Sequence, residues 1–195
     1  MLFRSFIPEA YLRLAQDGDG AGRVDIWSSD ADALATAANH LAQDGWVRGG
    51  SWAVEVTVPE GFDYSIAETD KHPPAWWAER GLKRADGRPW STVDAASDAV
   101  LLVPSGAGGP IFLAFPNHFV IRKYNNSISY ALSIGLMADR MRGDELKTAW
   151  PKETPLSRDQ RYAAQNALKK LGFLNGRSEE HTSELQSHSF ISYAV

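Results

Sequence analysis

Tyr124, Asn125 and Tyr130 are the residues of this chain whose types and spacing best suit the capture of a polar, planar ligand. A tyrosine face stacks on a flat ring such as a sugar, while its hydroxyl and a neighbouring amide reach the ring substituents. The competing use of both tyrosines is a core position with a satisfied hydroxyl. The segment that must position them runs from residue 111 to residue 141. Residues 111–115 form a continuous apolar run and Pro116-Asn117 reads as a turn. Residues 118–124 then alternate, with Phe119 and Ile121 on one side and Arg122 and Tyr124 on the other, which predicts a strand. Asn126 or Ser127 can cap a following helix whose Tyr130, Ile134, Met137 and Met141 share one face.

A second group of residues could hold a metal ion. Asp17-Gly-Asp-Gly-Ala-Gly-Arg-Val-Asp25 has the pattern of an EF-hand calcium loop, which needs oxygen ligands at its first, third and fifth places, a glycine at the sixth and a backbone carbonyl at the seventh. Asp17, Asp19, Gly22 and Arg23 occupy the first, third, sixth and seventh places. Ala21 brings no ligand to the fifth, and Ser28 stands at the twelfth, where a glutamate belongs. The competing reading is a solvated, glycine-rich turn.

The remaining elements read as follows. Pro8 opens a short helix running to about Ala15. A helix over residues 31–43 carries Leu34, Ala37, Ala38 and Leu41 at helical spacing and stops at Gly45. Residues 52–58 alternate as a strand, with Trp52, Val54, Val56 and Val58 inward and Glu55 on the polar side. Pro73-Pro74 opens a short helix through Trp76 and Trp77 that ends at Gly81, and Asp86-Gly87 marks a turn. Residues 143–155, with Pro151 and Pro155, read as a linker. Ser157 with Gln160 forms a capping box for a last helix bearing Ala164, Leu168 and Leu171 and closed by Gly172.

Composition narrows the classes of function. Seven tryptophans and 11% aromatic residues suit a generous core or a carbohydrate site. A net charge of −4 argues against nucleic acid as a partner, because that partner demands a clustered basic surface. No stretch approaches the ~20 apolar residues of a membrane span. The absence of cysteine excludes disulfides and thiolate metal sites.

FIPEAYLRLA, DGDGAGRVDIW, ADALATAANHLAQDGW, SWAVEVTVPEGFD, GLKRADGRPW, FPN…RKYNNS…YAL and PLSRDQRYAAQNALKKLGF follow one another over residues 6–173. Together these blocks resemble the lytic murein transglycosylase B family, whose members cut the glycan strands of bacterial peptidoglycan. The resemblance implies an α+β fold: the C-terminal part of a lysozyme-like domain, with helices around a small antiparallel sheet. It implies cleavage of the β-1,4 bond between N-acetylmuramic acid and N-acetylglucosamine without water, giving a 1,6-anhydro product. Glycan strands are the implied partner, and the periplasm or outer membrane the implied location of the parent protein. Phe6, His40, Tyr124, Asn125 and Tyr130 match cleft positions of the family. The family prefers tyrosine where His40 stands, and His40 lies off the apolar stripe of its helix, so an exposed histidine competes with that role. Ser5 replaces a family glutamine of the cleft. The resemblance also completes the calcium set as Asp17, Asp19, the Arg23 carbonyl and Asp32. No cofactor is required for the chemistry, and a structural calcium is the one ion the loop would hold.

These enzymes use a single glutamic acid, which the resemblance places before the FIP segment. Glu9, Glu55, Glu60, Glu68 and Glu79 do not stand in the matching motif, so no catalytic residue is assigned within the chain. The expected organisation is the C-terminal part of the catalytic domain at residues 1–145 and a linker at 146–156. The start of a truncated helical peptidoglycan-binding module follows at 157–176. Residues 177–187 read RSEEHTSELQS, a one-frame translation of a common sequencing adapter, so residues 177–195 are expected to be foreign to the gene. The whole is expected to be a fragment that lacks the catalytic glutamate and is inactive alone. Two other classes compete: a non-catalytic murein- or sugar-binding protein, and an ordinary glycoside hydrolase using two carboxylates within the chain.

Overall fold

A computed structural model describes residues 8–152 and 156–172. Its centre is a five-stranded antiparallel sheet in the order β2-β4-β5-β1-β3. The strands are β1 (Ala53–Thr57), β2 (Lys71–His72), β3 (Lys83–Arg84), β4 (Ala99–Leu102) and β5 (Ile111–Ala114). Helices α1 (Pro8–Leu14) and α2 (Asp30–Gln43) precede the sheet. Short helices α3 (Pro74–Glu79) and α4 (Thr92–Ala95) are inserted between strands. Helices α5 (Pro116–Tyr124), α6 (Ile128–Met141) and α7 (Arg158–Lys170) follow it. The architecture is the expected α+β arrangement of helices around a small antiparallel sheet.

The central strands are apolar on both faces because both faces are covered. Val100, Leu102, Phe112 and Ala114 pack with Trp52, Ile121, Ala131 and Leu132 on the side of α5 and α6. Ala99, Leu101, Ile111 and Leu113 pack with Val56, Trp77, Leu82 and Phe115 on the side of α3. β1 and β5 pair with Val54 opposite Leu113, and β4 and β5 with Leu101 opposite Leu113. Val54, Val56 and Val58 therefore share one face as expected, but Trp52 goes to the opposite cluster and joins α6.

Three sequence expectations are corrected here. Residues 118–124 form no strand; they lie in α5, which starts directly after β5. Phe115 is extended before proline, and Pro116 takes the first helical turn, where its missing N–H costs nothing. The buried positions Asn117, His118, Val120 and Ile121 follow helical spacing, with two polar residues at core positions masking the period. In α6, the fully buried residues are Ala131, Leu132 and Gly135, beside the expected face: Tyr130 and Ile134 of that face pack partly buried against the same cluster, whereas Met137 and Met141 are 48% and 84% exposed. Gly135 carries the contact: a Cβ there would lie 2.2 Å from the Trp52 indole, so only glycine lets helix and ring approach.

The third correction concerns α2. Its buried residues are Asp32, Ala33 and Thr36, whereas Leu34 is 60% exposed. This helix packs on the glycine-rich loop, whose backbone N–H groups require acceptors more than apolar cover. Gln16 donates its N–H to Thr36 Oγ1 at 3.0 Å, and Gly18 donates to Asp32 Oδ1 at 2.8 Å. Polar residues thus occupy the face that a purely apolar stripe would have claimed.

Glu55 also differs from the solvated charge expected on its strand. Its carboxylate accepts the backbone N–H groups of Lys147 and Thr148 at 2.7 and 2.8 Å. Leu146 and Trp150 pack against the cluster of Trp52 and Phe112, so residues 146–150 lie on the domain as a strap. α7 has the expected capping box, with Ser157 Oγ accepting from the Gln160 N–H and the Gln160 side chain accepting from the Ser157 N–H.

Candidate glycan site

His40, Tyr124 and Tyr130 form a row of rings. The His40 ring meets Tyr124 edge-on with centroids 6.2 Å apart, and Tyr124 stacks on Tyr130 at 6.0 Å with 27° between planes. The row crosses three elements: His40 is in the last turn of α2, Tyr124 ends α5, and Tyr130 sits in the first turn of α6. Asn125 is the C-cap of α5, and its carbonyl accepts the Ser127 N–H at 2.7 Å. Ser127 caps α6 by accepting the Tyr130 N–H at 3.2 Å. The link between the helices is therefore three residues, Asn125 to Ser127, of defined geometry, which fixes Tyr124 against Tyr130. Tyr124 is 40% exposed, and burial followed by the neighbouring Tyr124 raises the Tyr130 phenol above its ordinary pKa.

Two polar devices that sequence reasoning did not identify hold the loop after α2, one against α5 and one against α4. Asn117 is fully buried; its Oδ1 accepts the Val47 N–H at 2.7 Å, and its Nδ2 donates to the carbonyls of Val47 and Gly50 at 2.9 and 2.8 Å. Asp94 accepts the N–H and hydroxyl of Ser51, both at 2.8 Å. The loop leaving α2 is thereby stitched into the first turn of α5. Lys123 Nζ, next to Tyr124, donates to the Asp44 carbonyl at the end of α2 at 2.5 Å. Only the unusual presence of Asn and Asp inside otherwise apolar stretches signalled these roles.

His40 is half-buried, with Nδ1 3.0 Å from Asp44 Oδ2 one turn later. It is not the exposed histidine that competed with the cleft role; it lies in the ring row, paired with Asp44. Phe6 lies outside the described residues. Of the five glutamates considered for catalysis, Glu55 is committed to the strap.

The structure brings Asp17, Asp19 and Asp32 together, with one carboxylate oxygen of each within 4.8 Å of the others. Asp32 is buried in the first turn of α2 and accepts the N–H groups of Gly18 and Asp25 at 2.8 and 2.7 Å. Asp17 accepts from Gly20, Ala21 and Gly22, and these bonds, led by that of Gly22, lower its pKa. Ser29, the N-cap of α2, donates its hydroxyl to Asp19 Oδ2 at 2.7 Å. Gly18 approaches α2 so closely that a Cβ would meet the Ala31 carbonyl at 2.3 Å. Three converging carboxylates suit a hard divalent cation. The Arg23 side chain points to Asp25 at 3.3 Å, which leaves its backbone carbonyl as the ligand it could offer. Asp25, not singled out in the sequence, ties the turn into α2 by accepting from Trp27 and Ser28.

Residues 3–139 match the family model of the transglycosylase SLT domain. The chain is 30% identical over 141 residues to the membrane-bound lytic murein transglycosylase B of Escherichia coli (strain K12), covering 69% of this chain and 36% of that protein. It is similar to SltB3 from Pseudomonas aeruginosa, solved in complex with NAG-NAM-pentapeptide, at 43% identity and a TM-score of 0.77. That match covers 89% of this chain and 47% of SltB3. The Escherichia coli lytic transglycosylase Slt35, solved in complex with calcium, is 27% identical with a TM-score of 0.53, over 71% of this chain and 44% of that one. The chain thus spans about a third to a half of the length of these relatives. With the sheet, the ring row and the acidic loop in place and most of its length matched to one family model, the chain belongs to the transglycosylase SLT domain family.

Proposed function

We propose that this chain is the C-terminal, glycan-holding part of a peptidoglycan lytic transglycosylase acting in the periplasm or at the outer membrane. The observation that carries the reading is the ring row His40–Tyr124–Tyr130, with Asn125 beside it at the junction of α5 and α6. Stacked faces and nearby amides are what a run of sugar rings requires. Phe6 matches a further cleft position in the family resemblance. Residues 1–145 belong to the catalytic domain, 146–156 lead to residues 157–176 as the opening helix of a peptidoglycan-binding module, and 177–195 are foreign to the gene.

In the complete site a single carboxylic acid protonates the glycosidic oxygen between N-acetylmuramic acid and N-acetylglucosamine. The 6-hydroxyl of the muramoyl residue loses its proton to that carboxylate and attacks its own anomeric carbon, so the bond breaks without water. A substrate hydroxyl serves as nucleophile, and the second carboxylate of hydrolytic glycosidases is dispensable. No residue of this chain takes the acid's role. The part described here orients the glycan, and the acid comes from the remainder of the domain.

The loop residues Asp17, Asp19 and Asp32, with the Arg23 carbonyl, bind calcium as a structural ion, with Ala21 removing one ligand from the usual set. The ion would tie the loop to α2 and hence steady His40.

The test is a paired assay on the full chain with glycan strands: binding by calorimetry and product analysis by mass spectrometry. Binding without release of anhydro-muropeptides is expected. Turnover to anhydro products would overturn the assignment of the acid outside this chain. Reducing ends without anhydro sugar would identify a hydrolase instead.

A further inference from the structure

The sheet face that carries α5 and α6 ends in a charge. Val54 and Val56 turn to the α3 side, so Glu55 shares the α6 side with Ala53 and lies opposite Phe112 in the register of β1 and β5. A half-buried carboxylate in that place requires donors. It takes two consecutive backbone N–H groups, Lys147 on Oε2 at 2.7 Å and Thr148 on Oε1 at 2.8 Å, one oxygen to each. Leu146, Thr148 and Trp150 are half-buried and alternate with exposed Glu145, Lys147 and Ala149. Two further anchors flank this catch. Before it, Asp144 accepts from Arg88 Nη1 at 3.5 Å; after it, Pro151 packs on Gly109, where a Cβ would meet its Cδ at 3.2 Å.

What the strap restrains is α6. That helix ends at Met141 with Arg142 as its C-cap, the chain turns through Gly143 at a φ of 85°, and the strap follows at once. Leu146 and Trp150 pack on the same cluster as Tyr130 and Ile134. Toward the sheet, Gly135 and Asp139 both rest on one ring, the Trp52 indole, by close approach and by a hydrogen bond of 2.8 Å. A helix seated on a single ring can still pivot about it. Tyr130 lies about 7 Å before Gly135, and Arg142, where the strap begins to pull, about 10 Å after it, at ~1.5 Å of rise per residue. A shift of about 1 Å at the strap end therefore moves Tyr130 by about 0.7 Å the other way.

We propose that Glu55 is a positioning residue of the glycan site: by catching the strap it fixes the tilt of α6, and with it the Tyr130 end of the ring row. The inference rests on the glycan-binding reading above and adds to it a residue that touches no sugar. Release of the strap leaves Tyr124 on α5 and swings Tyr130 away from it.

Glu55→Gln in the full chain keeps the shape of the side chain but offers one acceptor to two donors. Trypsin should then cut after Lys147 about tenfold faster, the loss of one charge-assisted bond from a segment that opens locally. The Tyr130 amide resonance should shift, and affinity for glycan strands should fall about threefold by calorimetry. Global destabilisation leaves a native-state resonance where it is, so the shift reports position and not stability. Trp150→Ala, which frees the strap with the carboxylate intact, should reproduce all three changes. Cleavage no faster in Glu55→Gln, or faster cleavage with an unmoved Tyr130 resonance or an unchanged affinity, would overturn the proposal while leaving the glycan reading intact. If glycan strands fail to bind the unaltered chain, the glycan reading falls; a Tyr130 resonance that moves in Glu55→Gln then still supports the positioning, and one that stays overturns it as well.

Discussion

The imidazole of His118 is enclosed at the start of α5 with the Trp52 ring 6.3 Å away, and among the described residues neither of its nitrogens finds a hydrogen-bond partner. Burial, reinforced by the positive charge of Arg122, lowers its pKa from 6.5 to about 4. Between those values the unfolded chain takes up a proton that the native chain refuses. Native stability from this residue is therefore complete above pH 6.5, declines as pH falls through the window by about 3 kcal/mol, and levels off below pH 4. Urea denaturation at pH 7 and pH 4.5 measures the decline. In His118→Leu the slope over that window should shrink; an undiminished slope would refute the role given to this imidazole. Tyr124 offers the complementary case of a partly exposed ring. Tyr124→Ala should weaken glycan binding about tenfold, through loss of a stacking face, while leaving the thermal midpoint within a few degrees. Unchanged affinity would remove the ring row from the binding surface.

At the scale of elements, the contact between β1 and α6 governs how accurately Tyr130 is placed. Gly135 seats the Trp52 indole, and Trp52 Nε1 donates to Asp139 Oδ2 one turn further along the helix at 2.8 Å. Burial raises the Asp139 pKa despite that bond and the nearby Arg142. Gly135→Ala inserts a methyl group where the ring lies and should destabilise the domain by about 1–3 kcal/mol, since overpacking forces backbone or rotamer shifts. It should also displace α6 and lower glycan affinity, which Tyr124→Ala does without loss of stability. Guanidinium denaturation with parallel calorimetry separates the two effects, and a Gly135→Ala chain of unaltered stability would show that α6 is not wedged by Trp52. The same elements explain which parts of the sequence were readable. Caps and turns such as Ser127, Ser157 with Gln160, and Gly81 act through nearest neighbours, so their positions were legible. The buried face of α2 was not, because Asp32 and Thr36 face inward only to satisfy a loop that lies against them.

Across the whole molecule, the acidic loop, α2, the loop stitched by Asn117 and Asp94, and α5 form one mechanical path from the cation-type cluster to the rings. Calcium bound at Asp17, Asp19 and Asp32 would relieve the repulsion of three carboxylates and strengthen the start of that path. With a dissociation constant near 1 mM, reasonable for a loop lacking its fifth-place ligand, 10 mM calcium should add about 1.4 kcal/mol. That appears as a rise of several degrees in Tm by scanning calorimetry. Asp17→Asn with Asp19→Asn should abolish the rise, and magnesium should not reproduce it. A midpoint insensitive to calcium would reduce the loop to a hydrogen-bonded turn.

The sequence by itself determined the fold class, the family, the strand β1, the caps of α6 and α7, and the grouping of Tyr124, Asn125 and Tyr130 around a short junction. These follow from local periodicity, caps and ordered motif blocks, all of which are written in neighbouring residues. The α5 helix was hidden because Asn117 and His118 put polar types at buried positions, and alternation over so few residues cannot distinguish strand from helix. Only the tertiary structure decided that Asn117 is a clamp and Glu55 a tether for the strap. It alone joined His40 to Asp44 and the rings. Each of those depends on partners far along the chain, such as Val47 with Asn117 and Glu55 with Thr148, and a contact between distant segments leaves no period in either one.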